Sequence, residues 1–129
     1  MKKIIILTII VLLMTGCSNT ITCKTKNSDV QEEYNIKYKN NNISKITIKK
    51  TYKFTDKKEF EQFETFVKYN ASKENENIKS SYKKKNKKYI IKQIYNVEKM
   101  TDDELNKHSL IKNKEEFVNN LKDNGLTCK

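Results

Sequence analysis

Residues 31–54, QEEYNIKYKNNNISKITIKKTYKF, decide the fold. Tyr34, Ile36 and Tyr38 alternate with Glu33, Asn35 and Lys37. That two-residue period marks a strand with one buried face. Asn40-Asn41-Asn42 interrupts it with a residue type that tolerates positive φ. From Ile43 to Phe54 the alternation resumes, with Ile46, Ile48, Tyr52 and Phe54 on one side. Two alternating runs joined by an asparagine turn predict an antiparallel hairpin.

The period then changes. Asp56-Lys57-Lys58-Glu59 matches a capping box, with its carboxylates at the positive end of a helix. Phe60, Phe63 and Val67 follow at helical spacing, flanked by Phe66, and predict a helix over 56 to about 70 with its stripe in the core. Asn70 to Asn77 is polar and reads as a loop. Ile78–Lys84 and Lys87–Val97 read as a second hairpin turning at Lys85-Asn86. The second of these strands carries Tyr89, Ile91, Tyr95 and Val97 on one face and Ile90 and Ile94 on the other. Apolar residues on both faces predict either a central strand or a second small core. Thr101-Asp102-Asp103-Glu104 opens a short helix to about Lys107. Asn113 caps a last helix, with Glu116 three residues on, Phe117 and Leu121 on one side and Val118 beside them. Gly125 stops that helix as a left-handed cap, Leu126 packs back on it, and Leu126-Thr127-Cys128 forms a final strand. Thr20 to Lys26 also alternates and reads as a first strand. The order β-β-β-α-β-β-α-α-β predicts an α+β fold: an antiparallel sheet of five to six strands with helices on one face.

Ahead of this domain, Lys2 and Lys3 precede an apolar run from Ile4 to Leu13, which ends at Met14-Thr15-Gly16-Cys17. A membrane-spanning helix needs about 20 apolar residues, and this run is half that. It has the length of a signal-peptide core. Two small residues before a cysteine, at the end of that core, form a lipobox. Residues 1–16 therefore read as a lipoprotein signal peptide, 17–21 as a lipidated tether and 22–129 as one α+β domain. The alternatives are a plain secretory signal or an uncleaved anchor. Lipid on Cys17 would hold the chain on the cell membrane, facing away from the cytoplasm. One acyl chain holds marginally, at about 0.8 kcal/mol per buried methylene, and two hold stably.

The positive charge is all lysine. The chain has 27 basic side chains, none of them arginine, against 16 acidic ones. Without the leader the net charge is about +9. The abundance of Asn, Lys and Ile is the bias of an AT-rich bacterial genome. Specific nucleic-acid recognition is disfavoured, because arginine is the residue suited to bidentate phosphate and base contacts. The densest run is Lys83-Lys84-Lys85-Asn86-Lys87-Lys88. It reads as a solvated hairpin turn. Its functional reading is attraction to an anionic envelope polymer or lipid head groups, at about 1 kcal/mol per Lys near a charged surface.

Cys23 and Cys128 sit in matching triplets, Thr22-Cys23-Lys24 and Thr127-Cys128-Lys129. In an oxidising compartment such a pair reads as a disulfide. It would close a loop of about 106 residues, worth roughly 4.7 kcal/mol in the chain-entropy model. Two buried free thiols are the alternative. A metal pair lacks partners, since His108 is the single histidine. No metal site and no cofactor is expected.

The lipobox Met14–Cys17, the Thr22–Lys24 triplet, the strands of Gln31–Phe54, the helix of Asp56–Asn70, Thr101–Leu105 and the terminal Gly125–Lys129 together resemble the YehR-like family of small bacterial lipoproteins. The resemblance implies an α+β domain without known enzymatic activity, and it transfers no catalytic residue. The function expected is a membrane-anchored, non-enzymatic envelope protein that binds a ligand or protein partner. Two further readings stay open. One is a basic adhesin holding anionic polymers or extracellular nucleic acid through Lys83, Lys84, Lys85, Lys87 and Lys88. The other is a hydrolase using Asp102, Asp103 or Glu104 with His108. Tyr34, Tyr38, Tyr52, Tyr89 and Tyr95 either edge the core or face outward as an acceptor surface. Cys17→Ser is expected to release the protein from the membrane or leave an uncleaved precursor, and metabolic lipid labelling checks this: a mutant labelled as strongly as the parent would disprove the lipobox.

Overall fold

The structure, a computed structural model, describes residues 19–26, 29–71 and 74–129, the side chains of 70 and 71 excepted. The strands are β1 (Asn19–Thr25), β2 (Val30–Lys39), β3 (Asn42–Lys53), β4 (Ile78–Lys85), β5 (Lys88–Tyr95) and β6 (Leu126–Cys128). The helices are α1 (Lys57–Ala71), α2 (Asp102–Lys107) and α3 (Lys114–Asp123), with a 3-10 turn at Val97–Lys99. The strands form one sheet in the order β4-β5-β3-β2-β1-β6. Every neighbouring pair is antiparallel. This is the α+β arrangement that the alternating runs imply.

The β2–β3 hairpin turns at Asn40 and Asn41, with Asn40 at φ 56. Its register then shifts. Lys37 lies opposite Lys45, but Tyr38 lies opposite Ile43, so Ser44 is an extra residue on β3. The Ser44 hydroxyl donates to the Lys37 carbonyl at 3.1 Å. A bulge of this kind changes the phase of a strand. It lets Ile43 and Ile46, three residues apart, both be buried. The second hairpin turns at Asn86-Lys87, one residue later than the sequence suggests. Both residues have positive φ (44 and 60), as a two-residue turn matching the twist of its strands requires. Asparagine tolerates that conformation. Lys87 follows it there because the pairing of Lys85 with Lys88 leaves two residues to close the turn.

The three described helices cover the same side of the sheet. The larger core sets Phe117, Val118 and Leu121 of α3 and Leu105 of α2 against Cys23, Ile36, Ile46 and Ile48. A second core lies under α1, where Phe60 and Val67 meet Tyr89 and Ile91, ringed by Tyr52, Phe54, Phe63 and Tyr82. β5 is thus an inner strand, between β4 and β3; both cores lie on its helix side, and its other face, with Ile90 and Ile94 half-buried, carries no core among the described residues. The helix ends are capped as their sequences imply. Asp56 accepts from the Lys58 N–H at 2.8 Å, Thr101 from Glu104 at 3.3 Å and Asn113 from Glu116 at 3.0 Å. Gly125, at φ 92, closes α3, and its N–H donates to the Lys122 carbonyl at 3.0 Å.

β1 and β6 bring the two ends of the domain together. Cys23 lies directly opposite Cys128, and the two are disulfide-bonded across a sequence separation of 105. Thr22 and Lys129 exchange backbone hydrogen bonds at 3.1 and 2.9 Å just beyond them. Pairing on β1 begins at Asn19, opposite Tyr38. The expected tether over 17–21 is thus too long: residues 19–21 belong to the sheet, because β2 extends far enough to pair with them.

Tyr89 is fully buried, and its hydroxyl makes no hydrogen bond of good geometry among the described residues, the Lys84 ammonium being a nearby polar neighbour. A buried, unsatisfied hydroxyl costs about 1–3 kcal/mol. Tyr89→Phe, which keeps the ring contacts with Phe60 and Phe63, is expected to leave stability unchanged or raise it by about 1 kcal/mol in urea unfolding. A clear loss would mean that the hydroxyl is satisfied.

Candidate functional site

The face of the sheet opposite the helices is the candidate site. The phase that sends Ile46, Ile48 and Tyr89 inward sends every intervening residue outward. No described helix packs there. Its residues line up in rows across the strands. In the central row Lys24 lies opposite Glu33, Glu33 opposite Lys49, Lys49 opposite Lys92, and Lys92 opposite Ser81. Toward the β4–β5 turn, Lys53 lies opposite Lys88, which in turn lies opposite Lys85. Toward the β2–β3 turn, Lys37 lies opposite Lys45. Rows with no opposed charges separate these, each with a single lysine at its β4 end: Thr51, Ile90 and Lys83 on one side of the centre, and Asn35, Thr47, Ile94 and Lys79 on the other.

Like charges directly opposite one another destabilise a sheet by a few tenths of a kcal/mol to about 1 kcal/mol per pair. Here Lys49–Lys92, Lys53–Lys88, Lys85–Lys88 and Lys37–Lys45 are such pairs, and all their side chains are exposed. Glu33 is the carboxylate among the outward strand positions. Lys24 approaches it at 3.8 Å, with both groups open to solvent, so that pair contributes little. The Asn35 amide donates to Glu33 at 3.4 Å, and the Thr22 hydroxyl donates to the Asn35 carbonyl oxygen at 2.8 Å. Shallow depressions lie on this face. One, of about 420 Å³, is bordered by Lys49, Lys83, Lys92, Asn35, Thr47 and Ile90, with the Glu33 carboxylate among them. Another, of about 550 Å³, is bordered by Lys37, Lys45, Lys79 and Ile94, with Glu76 and Glu98 at its rim. Hydroxyls, amides and ammonium groups over two half-buried isoleucines offer hydrogen-bond donors and positive charge to an extended anionic chain.

The residues singled out from the sequence fall in several places. Cys17 lies outside the described residues. Cys23 and Cys128 are joined in the disulfide. The lysine run 83–88 is divided by the strand period. Lys83, Lys85 and Lys88 join the open face. Lys84 lies on the other side, 3.4 Å from the Glu64 carboxylate and 5.1 Å from the centre of the Phe60 ring. Lys87 sits in the turn. Asp102 and Asp103 are exposed on the first turn of α2, where acidic groups suit the helix dipole. The Glu104 carboxylate accepts from the Asn77 amide at 3.4 Å, and the His108 ring lies 5.5 Å from that of Tyr95. None of these carboxylates borders the depressions described above. Among the described residues no group of three His, Cys, Asp or Glu could hold a metal ion, and no helix is long and apolar enough to cross a membrane.

Tyr34, Tyr38, Tyr52, Tyr89 and Tyr95 all point to the helix side, so they form no outward acceptor surface. Tyr34 belongs to a polar seam between the two cores. Its hydroxyl donates to Glu32 at 3.5 Å, and Glu32 also meets Lys50 at 3.5 Å. Burial and the adjacent Glu32 carboxylate push the Tyr34 phenol up to about 12. Lys24, Lys49 and Lys92 are the site residues that the sequence reading passed over. Their signal was present: each occupies the phase opposite to the buried side chains of its own strand.

No family model matches the chain, and no curated protein matches it. It is similar in fold to a protein from Streptococcus pneumoniae TIGR4 known from an NMR structure, with a TM-score of 0.54, 12% identity and 86% of each chain covered.

The opposed lysines make stability depend on salt. The melting temperature is expected to rise with added NaCl as screening relieves the repulsion. Lys88→Thr, which removes a lysine opposed by Lys53 on one side and Lys85 on the other, is expected to stabilise the protein by a few tenths of a kcal/mol at low ionic strength, with the gain shrinking at high salt. Parallel thermal melts of the two proteins at both salt concentrations measure this.

Proposed function

We propose that this chain is a lipid-anchored envelope protein without enzymatic activity, which binds an anionic polymer on the uncovered face of its sheet. The observation that carries the reading is the opposition of lysines in three rows of a face that no described helix covers. Selection for stability alone favours opposite charges or small polar residues at such pairs. A bound polyanion would turn the repulsion into attraction and release the counterions held by the lysines. The lipobox ending at Cys17 and the resemblance to YehR-like lipoproteins support the anchor. The matched cysteines, bonded in the structure, support an oxidising compartment. Against a hydrolase stand the exposed Asp102 and Asp103 and the engagement of Glu104 by Asn77. The lysine run that first suggests an adhesin supplies only part of this surface. Lys24, Lys49 and Lys92 form its middle.

The test is titration of the purified, oxidised protein with long-chain inorganic polyphosphate. Affinity is expected to fall steeply as NaCl rises, in proportion to the number of ammonium groups engaged. The double substitution Lys49→Glu/Lys92→Glu should lower it by more than about tenfold. Lys107→Glu/Lys122→Glu, on the helix side, should leave it within about twofold at the same salt. Equal losses from both double variants would reduce the effect to net charge and refute a defined face.

A further inference from the structure

A second surface follows from where the described chain begins. Strand pairing starts at Asn19, two residues after Cys17. Two residues span at most about 7 Å. If Cys17 carries lipid, which is the reading above, the start of β1 lies within that distance of the head groups. Asn19 is opposite Tyr38, so the same end of the sheet holds the β2–β3 turn. The segment between α2 and α3 is fastened to that turn. The Ile43 N–H donates to the Lys112 carbonyl and the Lys114 N–H to the Asn41 carbonyl, each at 2.9 Å, and the Glu115 N–H donates to the Asn41 side chain at 3.2 Å. Lys39 and Lys112 are exposed there. The Lys114 ammonium lies 4.7 Å from the centre of the half-buried Tyr38 ring. Cations beside an amphipathic aromatic ring suit the boundary between water and an anionic bilayer.

The lysine rows of the open face lie farther out. β3 runs from Asn42, at this end, to Lys53 beside the β4–β5 turn. Its twelve residues extend about 36 Å. The field of a charged membrane fades over a Debye length of about 8 Å. The Lys53–Lys88–Lys85 row, at the far end of the strand, would therefore be beyond its reach in an upright domain.

We propose that the β2–β3 turn, with Lys39, Lys112 and Lys114, is a membrane-facing surface that rests on anionic phospholipid head groups and stands the sheet upright on the bilayer. The central and distal lysine rows are then held clear of the lipid and open to a polymer of the envelope. An upright stance also divides the work between the two basic surfaces. Three lysines near the anchor meet lipid, and the rows beyond them meet the polymer.

The lipidated protein is reconstituted into phosphatidylcholine vesicles with and without phosphatidylglycerol, both types carrying a head-group quencher. A fluorophore is placed on either end of β3, at Asn42→Cys or Lys53→Cys. In vesicles with phosphatidylglycerol the Asn42 label should be quenched several-fold more than the Lys53 label. The difference should shrink without the anionic lipid, or with Lys112→Gln/Lys114→Gln in the same labelled protein. Equal quenching of the two labels in anionic vesicles would show the sheet lying flat on the bilayer and overturn the inference, while leaving the anchor standing. A difference that ignores both the lipid charge and the two lysines would also overturn it. Protein that fails to float with either vesicle would overturn the anchor itself, and this inference with it.

Discussion

The strict alternation of side chains along β3 governs the rest of the molecule. Each residue of an extended strand points to the side opposite its neighbour. On β3 this puts Ile46, Ile48 and Tyr52 toward the helices and Lys45, Lys49 and Lys53 toward water. Because β3 is an inner strand, its phase is imposed on β2 and β5 through hydrogen-bonded register. A slip of one residue would bury lysines and expose isoleucines throughout the sheet. The apolar side offsets the entropy lost in ordering the chain by packing against α1, α2 and α3. The lysine side adds nothing to that core, and its opposed charges work against it.

The bulge at Ser44 sets the limit of this pattern. Without it, Ile43 would fall on the outer face, since it is an odd number of positions from Ile46 and Ile48. The extra residue rotates the end of the strand and returns Ile43 to the core, where the Lys112 carbonyl receives its N–H. The same local adjustment fastens the segment before α3 to the β2–β3 turn. Packing of the last helix and the shape of the β2–β3 end of the domain thus share one cause. Along the far edge of the sheet, the Cys23–Cys128 bond and the pairing of Thr22 with Lys129 close the chain upon itself. A short terminal strand such as β6 has few hydrogen bonds of its own. The covalent link keeps it from fraying.

Much of the candidate face was legible without coordinates, and part of it was not. Lysines in the solvent phase of Gln31–Phe54 can be read directly, since period two is a property of adjacent residues. The run Lys83–Lys88 misleads for the same reason. Consecutive lysines look like one patch, yet the strand sends Lys84 to Glu64 and Phe60 and its neighbours to the opposite side. The tyrosines posed a similar ambiguity, and the phase of Ile36, Ile48 and Ile91 settles it by placing them inward. Glu104 looks like part of an acidic cluster in the sequence. Its role as a partner of Asn77, 27 residues earlier, depends on how α2 docks beside the loop before β4.

The amino-acid order alone determined the strands, the helices with their caps, the asparagine turn of the first hairpin and the antiparallel α+β class. Each of these follows from residues within a few positions of one another, whose periodicity and hydrogen-bonding groups act locally. Tertiary structure decided which lysines confront each other, that Ser44 would be inserted, that the second turn would close at Asn86-Lys87 and that pairing would reach back to Asn19. Those outcomes depend on register between paired strands, within a hairpin at Ser44 and at Asn86-Lys87 and between distant segments for Lys49 against Lys92. Register minimises exposed apolar area and unpaired backbone groups over the whole sheet at once, which no local window of sequence contains.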